Sequence, residues 1–370
     1  MVKLVDKPHF PDTCNSLKRR KFIKSSAAGA FAMSLPILPT FPSLAPETRF
    51  GVAEASYMLR RYRKLESVEY PQFTNALDMI EHFNDLGFGG AQITMSGLDS
   101  KLAKKIKKKR DEYDFFIEGQ IRLPKSDGEL ARFETQVKET KEMDVDIIRT
   151  VCLSGRRYEN FDTKDAFEQF RKESVAAIQR AEPIMRKHKM KLAIENHKDW
   201  RIDDFLEILE GVYSEWIGVT LDTGNNLSLL EDPMEVVKAL APYTYTVHLK
   251  DMAVEEYEDG FLMSEVNLGD GFLDIEGMIS IIRKHNPDIR FNLEMITRDP
   301  LKIPVLTDKY WATFDEMPAI ELAQFLRNIK QHKVDALPRI SNKSVEEQVA
   351  LEVENNRASL VYAKEHYGFS

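Results

Sequence analysis

The sequence predicts an α/β protein, a (β/α)8 TIM barrel with a C-terminal helical extension, on three observations. From Phe50 onward, short apolar runs alternate with longer amphipathic segments, the pattern of strand and helix units. Eight such runs are present, enough to close a barrel of parallel strands. Several of them stop at a polar side chain: 191–197 ends in Glu195, Asn196 and His197, 217–222 in Asp222, 245–248 in His248, and 291–294 in Glu294. A buried parallel strand is apolar along its length and presents chemistry at its carboxyl end, so polar residues closing many runs favour a barrel over an open doubly wound sheet.

In chain order, residues 1–45 read as an export signal with its linker. Lys18-Arg19-Arg20-Lys21-Phe22-Ile23-Lys24 precedes a mildly apolar stretch, 27–38, too short to span a bilayer, and a Pro/Ser-rich link runs to Pro46. The paired arginines resemble the twin-arginine signal of bacterial secretion, which implies export to the periplasm. Ala30-Phe31-Ala32 and Ser43-Leu44-Ala45 are alternative cleavage sites, and Cys14 lies before the apolar core, so no lipid anchor is expected once the signal is removed. The barrel is assigned to 46–331, with strands at 50–54, 90–95, 115–123, 146–153, 189–197, 217–222, 244–250 and 290–295. Helices are expected at 76–86, 129–143, 164–188, 203–209, 233–240 and 275–285. The connection 297–311 is long for a barrel and rich in Pro and aromatics, and is expected to cover the active face. Residues 332–370 add a turn-rich link and a helical pattern at 345–365, which packs either on the barrel or on another subunit, so homo-oligomerisation stays open.

Composition narrows the function classes. With 43% apolar and 30% charged residues, neither a disordered nor a spanning protein is indicated. The net charge of −8 conceals seven Lys/Arg against two Asp in 1–45, so the remainder stands near −13. An acidic body is a poor partner for nucleic acid, and the basic run 101–110 has the spacing of a solvated helix face. Of the two cysteines, Cys14 falls in the segment expected to be cleaved, which leaves Cys152 without an internal partner.

The residues closing the runs form a candidate metal site. The intervals from Glu195 to Asp222 and from Asp222 to His248 are 27 and 26 residues, about one strand–helix unit each, so equivalent positions on successive strands would meet at one end of a barrel. With Glu294 the set offers three carboxylates and one imidazole, suited to one divalent ion (Mn, Co, Mg or Zn), and without thiolates it does not resemble a closed structural zinc site. Taken singly, each acid could instead pair with a lysine.

In order along the chain, the segments IENH, LDTGN, VHLKD and LE resemble the xylose isomerase-like TIM barrel family, also described as sugar phosphate isomerase/epimerase-like, over roughly residues 50–330. That resemblance places Glu195, Asp222, His248 and Glu294 at the family's metal positions. By analogy with its ketose epimerases, it also makes Glu195 and Glu294 the acid and base. Endonuclease relatives carry extra zinc-binding histidines, one of them three residues after the aspartate. This chain has Asn225 there, and Gln92 and Gln120 near the ends of the second and third strands, which argues against a zinc-cluster nuclease.

Other residues are candidates for substrate contact. His197 shares the strand side of Glu195, as a proton shuttle or as a donor behind a ligand. Lys250 either contacts a substrate oxygen, steadying an enolate, or pairs with Glu294 or Asp251. Arg149 binds substrate hydroxyls or makes a structural ion pair; Gln120 and Asn225 are further substrate-binding candidates, and Glu54 and Arg122 stand at other strand ends. Trp200, Tyr310 and Trp311 form a sugar-stacking wall or pack in the core, and Asp270 backs a ligand or turns a loop. An exported enzyme without a Gly-rich phosphate cradle meets free sugars or glycosides. The expected function is a metal-dependent isomerase or epimerase, with a 3-keto-glycoside lyase next and a non-catalytic carbohydrate-binding barrel as the alternative of another class.

Overall fold

The computed structural model describes residues 49–370. The export-signal reading of 1–45, its cleavage sites and Cys14 lie outside the described residues. The chain builds strands β1 (Phe50–Ala53), β2 (Gly90–Thr94), β3 (Phe116–Gln120), β4 (Ile147–Thr150), β5 (Lys191–Glu195), β6 (Ile217–Asp222), β7 (Thr244–Leu249), β8 (Asp251–Tyr257), β9 (Gly260–Val266), β10 (Arg290–Leu293) and β11 (Leu301–Ile303). Eight of these close a barrel in the order β1-β10-β7-β6-β5-β4-β3-β2, every pairing parallel. Each of the eight expected strands is found in sequence. Apart from Tyr245 and the end residues Thr94, Gln120, Lys191 and Arg290, the residues of these strands are buried, as expected of a parallel sheet covered on both faces.

Helices α1 (Met58–Tyr62), α2 (Ala76–Leu86), α3 (Ser100–Tyr113), α4 (Leu130–Glu142), α5 (Arg157–Asn160), α6 (Lys164–His188), α7 (Ile202–Val212), α8 (Pro233–Leu240) and α9 (Ile275–His285) fall between the barrel strands. Their ends follow side-chain chemistry. Asn75, Asp99, Thr163, Asp232 and Asp274 accept backbone N–H bonds at the starts of α2, α3, α6, α8 and α9, and α2 stops at Gly87 in the left-handed region (φ 93°). The basic run lies on α3, where only Ile106 is buried and Lys107 pairs with Asp144, so it is a solvated face.

Two features depart from simple alternation. Directly after β7 the chain turns back as the hairpin β8–β9, and β11 adds to β9, making a three-stranded antiparallel sheet. Met252, Val254, Phe261 and Met263 of this sheet pack with Leu301, Ile303, Val305, Tyr310 of α10 (Asp308–Trp311) and Ile329 of α11 (Ala319–His332) in a second apolar cluster. The connection after the last barrel strand is therefore part of a small subassembly. The C-terminal helix α12 (Val345–Tyr367), started by a Ser344/Glu347 capping box, packs on this same barrel. It contacts α1 and β10, and Val353, Leu360 and Ala363 join the main core. Beyond it, Phe369 stacks on Phe50 with ring centroids 4.6 Å apart.

Candidate metal centre

The register of the barrel explains how four distant residues meet. Asp222 and His248 are direct partners across β6 and β7, Glu195 closes the neighbouring β5, and Glu294 follows β10 on the other side of β7. All four are at most 4% exposed. One ligand atom from each lies within 4.8 Å of the others. Two atoms bound to a common ion at about 2.1 Å can be at most about 4.2 Å apart, so a small contraction completes the set.

The bonding of His248 supports this fit. Its Nε2 is 2.8 Å from Gln92 Oε1, whereas its Nδ1 has no hydrogen-bond partner and sits 3.3 Å from both Glu195 Oε2 and Glu294 Oε1. Gln92 is itself oriented: its Nε2 donates to Glu118 Oε2 at 3.1 Å, and that oxygen also accepts from Thr246 Oγ1 (2.8 Å) and Asn292 Nδ2 (2.9 Å). An amide whose N–H is engaged by a carboxylate turns its oxygen to the imidazole. In the neutral ring the proton then resides on Nε2, and Nδ1 offers its lone pair to a metal.

Charges around the centre are closely paired. Arg149 bonds Glu195 Oε2 through Nε at 2.7 Å and also through Nη2. Lys250 Nζ lies 2.6 Å from Glu294 Oε2 and 2.8 Å from Asp222 Oδ2. Asp222 Oδ1 accepts the backbone N–H groups of Gly224 (2.9 Å) and Asn225 (2.8 Å). Burial would raise the Glu195 carboxyl, but Arg149 and His248 outweigh it and hold it well below the usual range. Lys250 and His248 likewise outweigh burial at Glu294. For Asp222 burial wins over Lys250 and the shift is upward. Burial disfavours the His248 cation, yet Glu294 and Glu195 prevail and lift it to about 9, a proton that a metal ion would displace.

The candidate substrate residues divide. Asn225 Nδ2 donates to Glu195 Oε1 at 3.1 Å, and its Oδ1 accepts from Lys198 Nζ. Arg149 is an ion-pair partner of a ligand, and Lys250 pairs with Glu294 and Asp222, whereas Asp251 instead accepts backbone N–H groups of the 269–273 turn. His197 and Gln120 are partly buried; burial, then Lys198, pull the His197 imidazole down to about 3, so it is neutral. Of the three aromatics, Trp200 and Tyr310 take the core alternative and Trp311 is half-buried. Trp200 is fully buried with its ring stacked on Phe170 at 5.1 Å, Tyr310 is fully buried with its hydroxyl on Ser228 O, and Trp311 donates to Val305 O. Asp270 is an exposed turn residue, bonded by Asn267. Lys198, Glu118, Glu265 and Arg298 were not expected. Glu118 had a legible signal, a lone acid inside an apolar run; Glu265 and Arg298, paired at 3.1 Å, meet only through the added sheet.

Comparison with known proteins decides the family. A family model described as xylose isomerase-like TIM barrel matches residues 80–329. The chain belongs to the xylose isomerase-like TIM barrel family. A further relative, a 3-oxo-isoapionate decarboxylase of Pectobacterium atrosepticum, is 28% identical over 149 residues, 40% of this chain; the match spans half of that relative's length. Among solved members of this fold, D-psicose 3-epimerase with D-tagatose from Clostridium cellulolyticum H10 superposes with a TM-score of 0.56 at 13% identity, covering 86% of this chain and 98% of that one. A xylose isomerase-like TIM barrel protein from Mycobacterium smegmatis in complex with magnesium gives 0.54 at 13% identity, covering 78% and 98%. At such identities these likenesses concern the fold, while the buried four-residue set is a property of this chain.

Proposed function

We propose that this xylose isomerase-like barrel is a divalent-metal-dependent sugar isomerase or epimerase, removing a proton next to a carbonyl of an unphosphorylated sugar through an enediolate. The observation that carries this reading is the placing of Glu195 and Glu294. They come from strands separated by β6 and β7, yet both carboxylates reach the same imidazole nitrogen at 3.3 Å. A sugar carbon held there has a carboxylate on either flank, one to take a proton and one to return it. Glu195, Asp222, His248 and Glu294 would hold the ion, which when bound would polarise the carbonyl and stabilise the enediolate. Lys250 stands beside Glu294 with its ammonium ready to donate to the developing oxyanion, and Arg149 keeps Glu195 ionised as a base. His197, neutral beside the centre and with its Nδ1 unpartnered, offers a hydrogen bond to the substrate and is too weakly basic to join the acid/base pair.

The second reading is a lyase, in which the same proton removal from a 3-keto-glycoside expels the C1 aglycone. Similarity to a decarboxylase favours keeping it, because bond cleavage beside a carbonyl leaves the same enediolate electrons. One experiment tests both: Mn- or Co-loaded protein is incubated with ketoses and 3-keto-glycosides in deuterated water. Exchange without release supports isomerisation or epimerisation, and aglycone release supports the lyase. Glu294→Gln is expected to lower exchange by at least about 10²-fold with the fold retained; unchanged exchange removes Glu294 from the acid/base pair.

A further inference from the structure

Lys198 is 3% exposed, yet among the described residues no carboxylate lies within ion-pair distance of it. Its Nζ donates to Asn225 Oδ1, and the Nζ of Lys250 approaches the same oxygen at 3.5 Å. Two ammonium groups thus share one neutral acceptor beside the metal set. An unpaired buried charge is costly, and burial, then Lys250, pull Lys198 down to about 8.

The neighbourhood does not supply the missing anion. Glu265 is engaged by Arg298 at 3.1 Å and is 3.8 Å from Lys250. Glu294 and Asp222 face Lys250, but as metal ligands they would spend their charge on the ion. Around the centre, the carboxylates Glu195, Asp222, Glu294 and Glu265 are matched by Arg149, Lys198, Lys250 and Arg298, so a divalent ion leaves two positive charges uncompensated when His248 is neutral.

Resting on the proton-abstraction reading, we infer that the substrate is a sugar acid whose carboxylate is bound by Lys198, beside Lys250, while its carbonyl and hydroxyl face the metal ligands. A carboxylate fits better than a phosphate. The pair of ammonium groups is buried and shares a single amide oxygen, which suits a compact monoanion, and the sequence has no Gly-rich phosphate cradle. The neutral sugar lacking the acid would leave Lys198 unpaired, which makes the residue a selector between the two.

The test is calorimetric binding to the Mn-loaded full chain at low salt, with D-fructuronate, D-fructose and D-fructose 6-phosphate as probes. The first two share a ketone and hydroxyls and differ in one carboxylate. We expect D-fructuronate to bind at least about tenfold more tightly than D-fructose, and Lys198→Met to erase that preference while Mn stoichiometry and thermal midpoint are kept. Lys198→Gln, which retains an N–H for Asn225, keeps the test valid should the methionine variant fold poorly, and is expected to lose the preference as well. Equal binding of acid and neutral sugar, absence of acid binding, tighter phosphate binding, or a preference that survives both substitutions overturns the inference. Proton exchange measured on the same samples reports separately on the reaction, so failure of one is not failure of the other.

Discussion

The proton on His248 is placed by a residue two contacts away. Glu118 takes up the Gln92 amide N–H and the Gln92 carbonyl takes up His248 Nε2–H, so the proton that a metal ion would displace is the one on Nδ1, toward Glu195 and Glu294. Glu118→Gln would supply an N–H where the carboxylate accepted one, allowing the Gln92 amide to invert and favour the Nδ1–H tautomer. Metal affinity is then expected to fall about 10–100-fold, read by titration with Mn and Co, with imidazole ¹⁵N shifts reporting the changed tautomer. Unaltered affinity would show that the ligands orient themselves. Gln92 and Glu118 show what a sequence hides at this scale: the ligands could be found because each closes an apolar run, whereas their supports come from β2 and β3, whose proximity to β7 across the barrel interior has no signature in spacing.

Among the elements, α12 was foreseen as a helix but not located. Its 3.6-residue pattern is blurred because polar side chains, not only apolar ones, face inward: Gln348, Glu352, Asn356 and Ser359 are all buried. Each has a backbone task. Glu352 accepts Leu59 N–H (2.7 Å) and Arg60 N–H (2.9 Å) at the start of α1, Asn356 Nδ2 donates to Ser56 O (2.9 Å), and Ser359 Oγ accepts Leu268 N–H (3.3 Å). The helix therefore supplies for α1 the end cap that α1 lacks locally. Glu352→Ala strands two donors, one of them buried, and is expected to cost about 2–3 kcal/mol in urea unfolding. Glu352→Gln keeps one acceptor and should cost about half as much. If the alanine variant is as stable as the parent, α12 is an appendage after all. The sheet β8–β9–β11 went unforeseen for a different reason. Strands β8 and β9 lie within a stretch expected to hold only a strand-to-helix connection, β11 lies within the 297–311 connection, and antiparallel hairpins of mixed polarity such as 251–266 resemble loop sequence.

At the scale of the whole molecule, the order of barrel strands and the convergence of four ligands could be read from run length and run ending, because a parallel barrel imposes both. What could not be read is where aromatic side chains point: Trp200 and Tyr310 have the composition of a sugar platform and the burial of a core, and Trp311 is half-buried beside Tyr310. The stability of the assembled barrel should also report a group remote from the site. His82 of α2 lies between Tyr57 and Phe73, with Arg60 Nη1 at 3.2 Å from its Nε2; burial first, then Arg60 and Arg357, lower its pKa from 6.5 to about 4. Between those values the unfolded chain binds a proton that the folded chain refuses. The contribution of His82 is therefore complete above pH 6.5 and is lost as the pH falls toward 4. Because the ring is only partly enclosed, the loss is on the order of 1–2 kcal/mol. Asp199, raised to about 7 by burial, contributes with the opposite slope, so the informative quantity is a difference between chains. His82→Gln keeps a carbonyl for Arg60 and cannot titrate. Its urea midpoint relative to the parent should rise steadily from pH 6.5 to 4 and be flat above pH 7, and a constant difference across that range would mean that His82 titrates alike in both states.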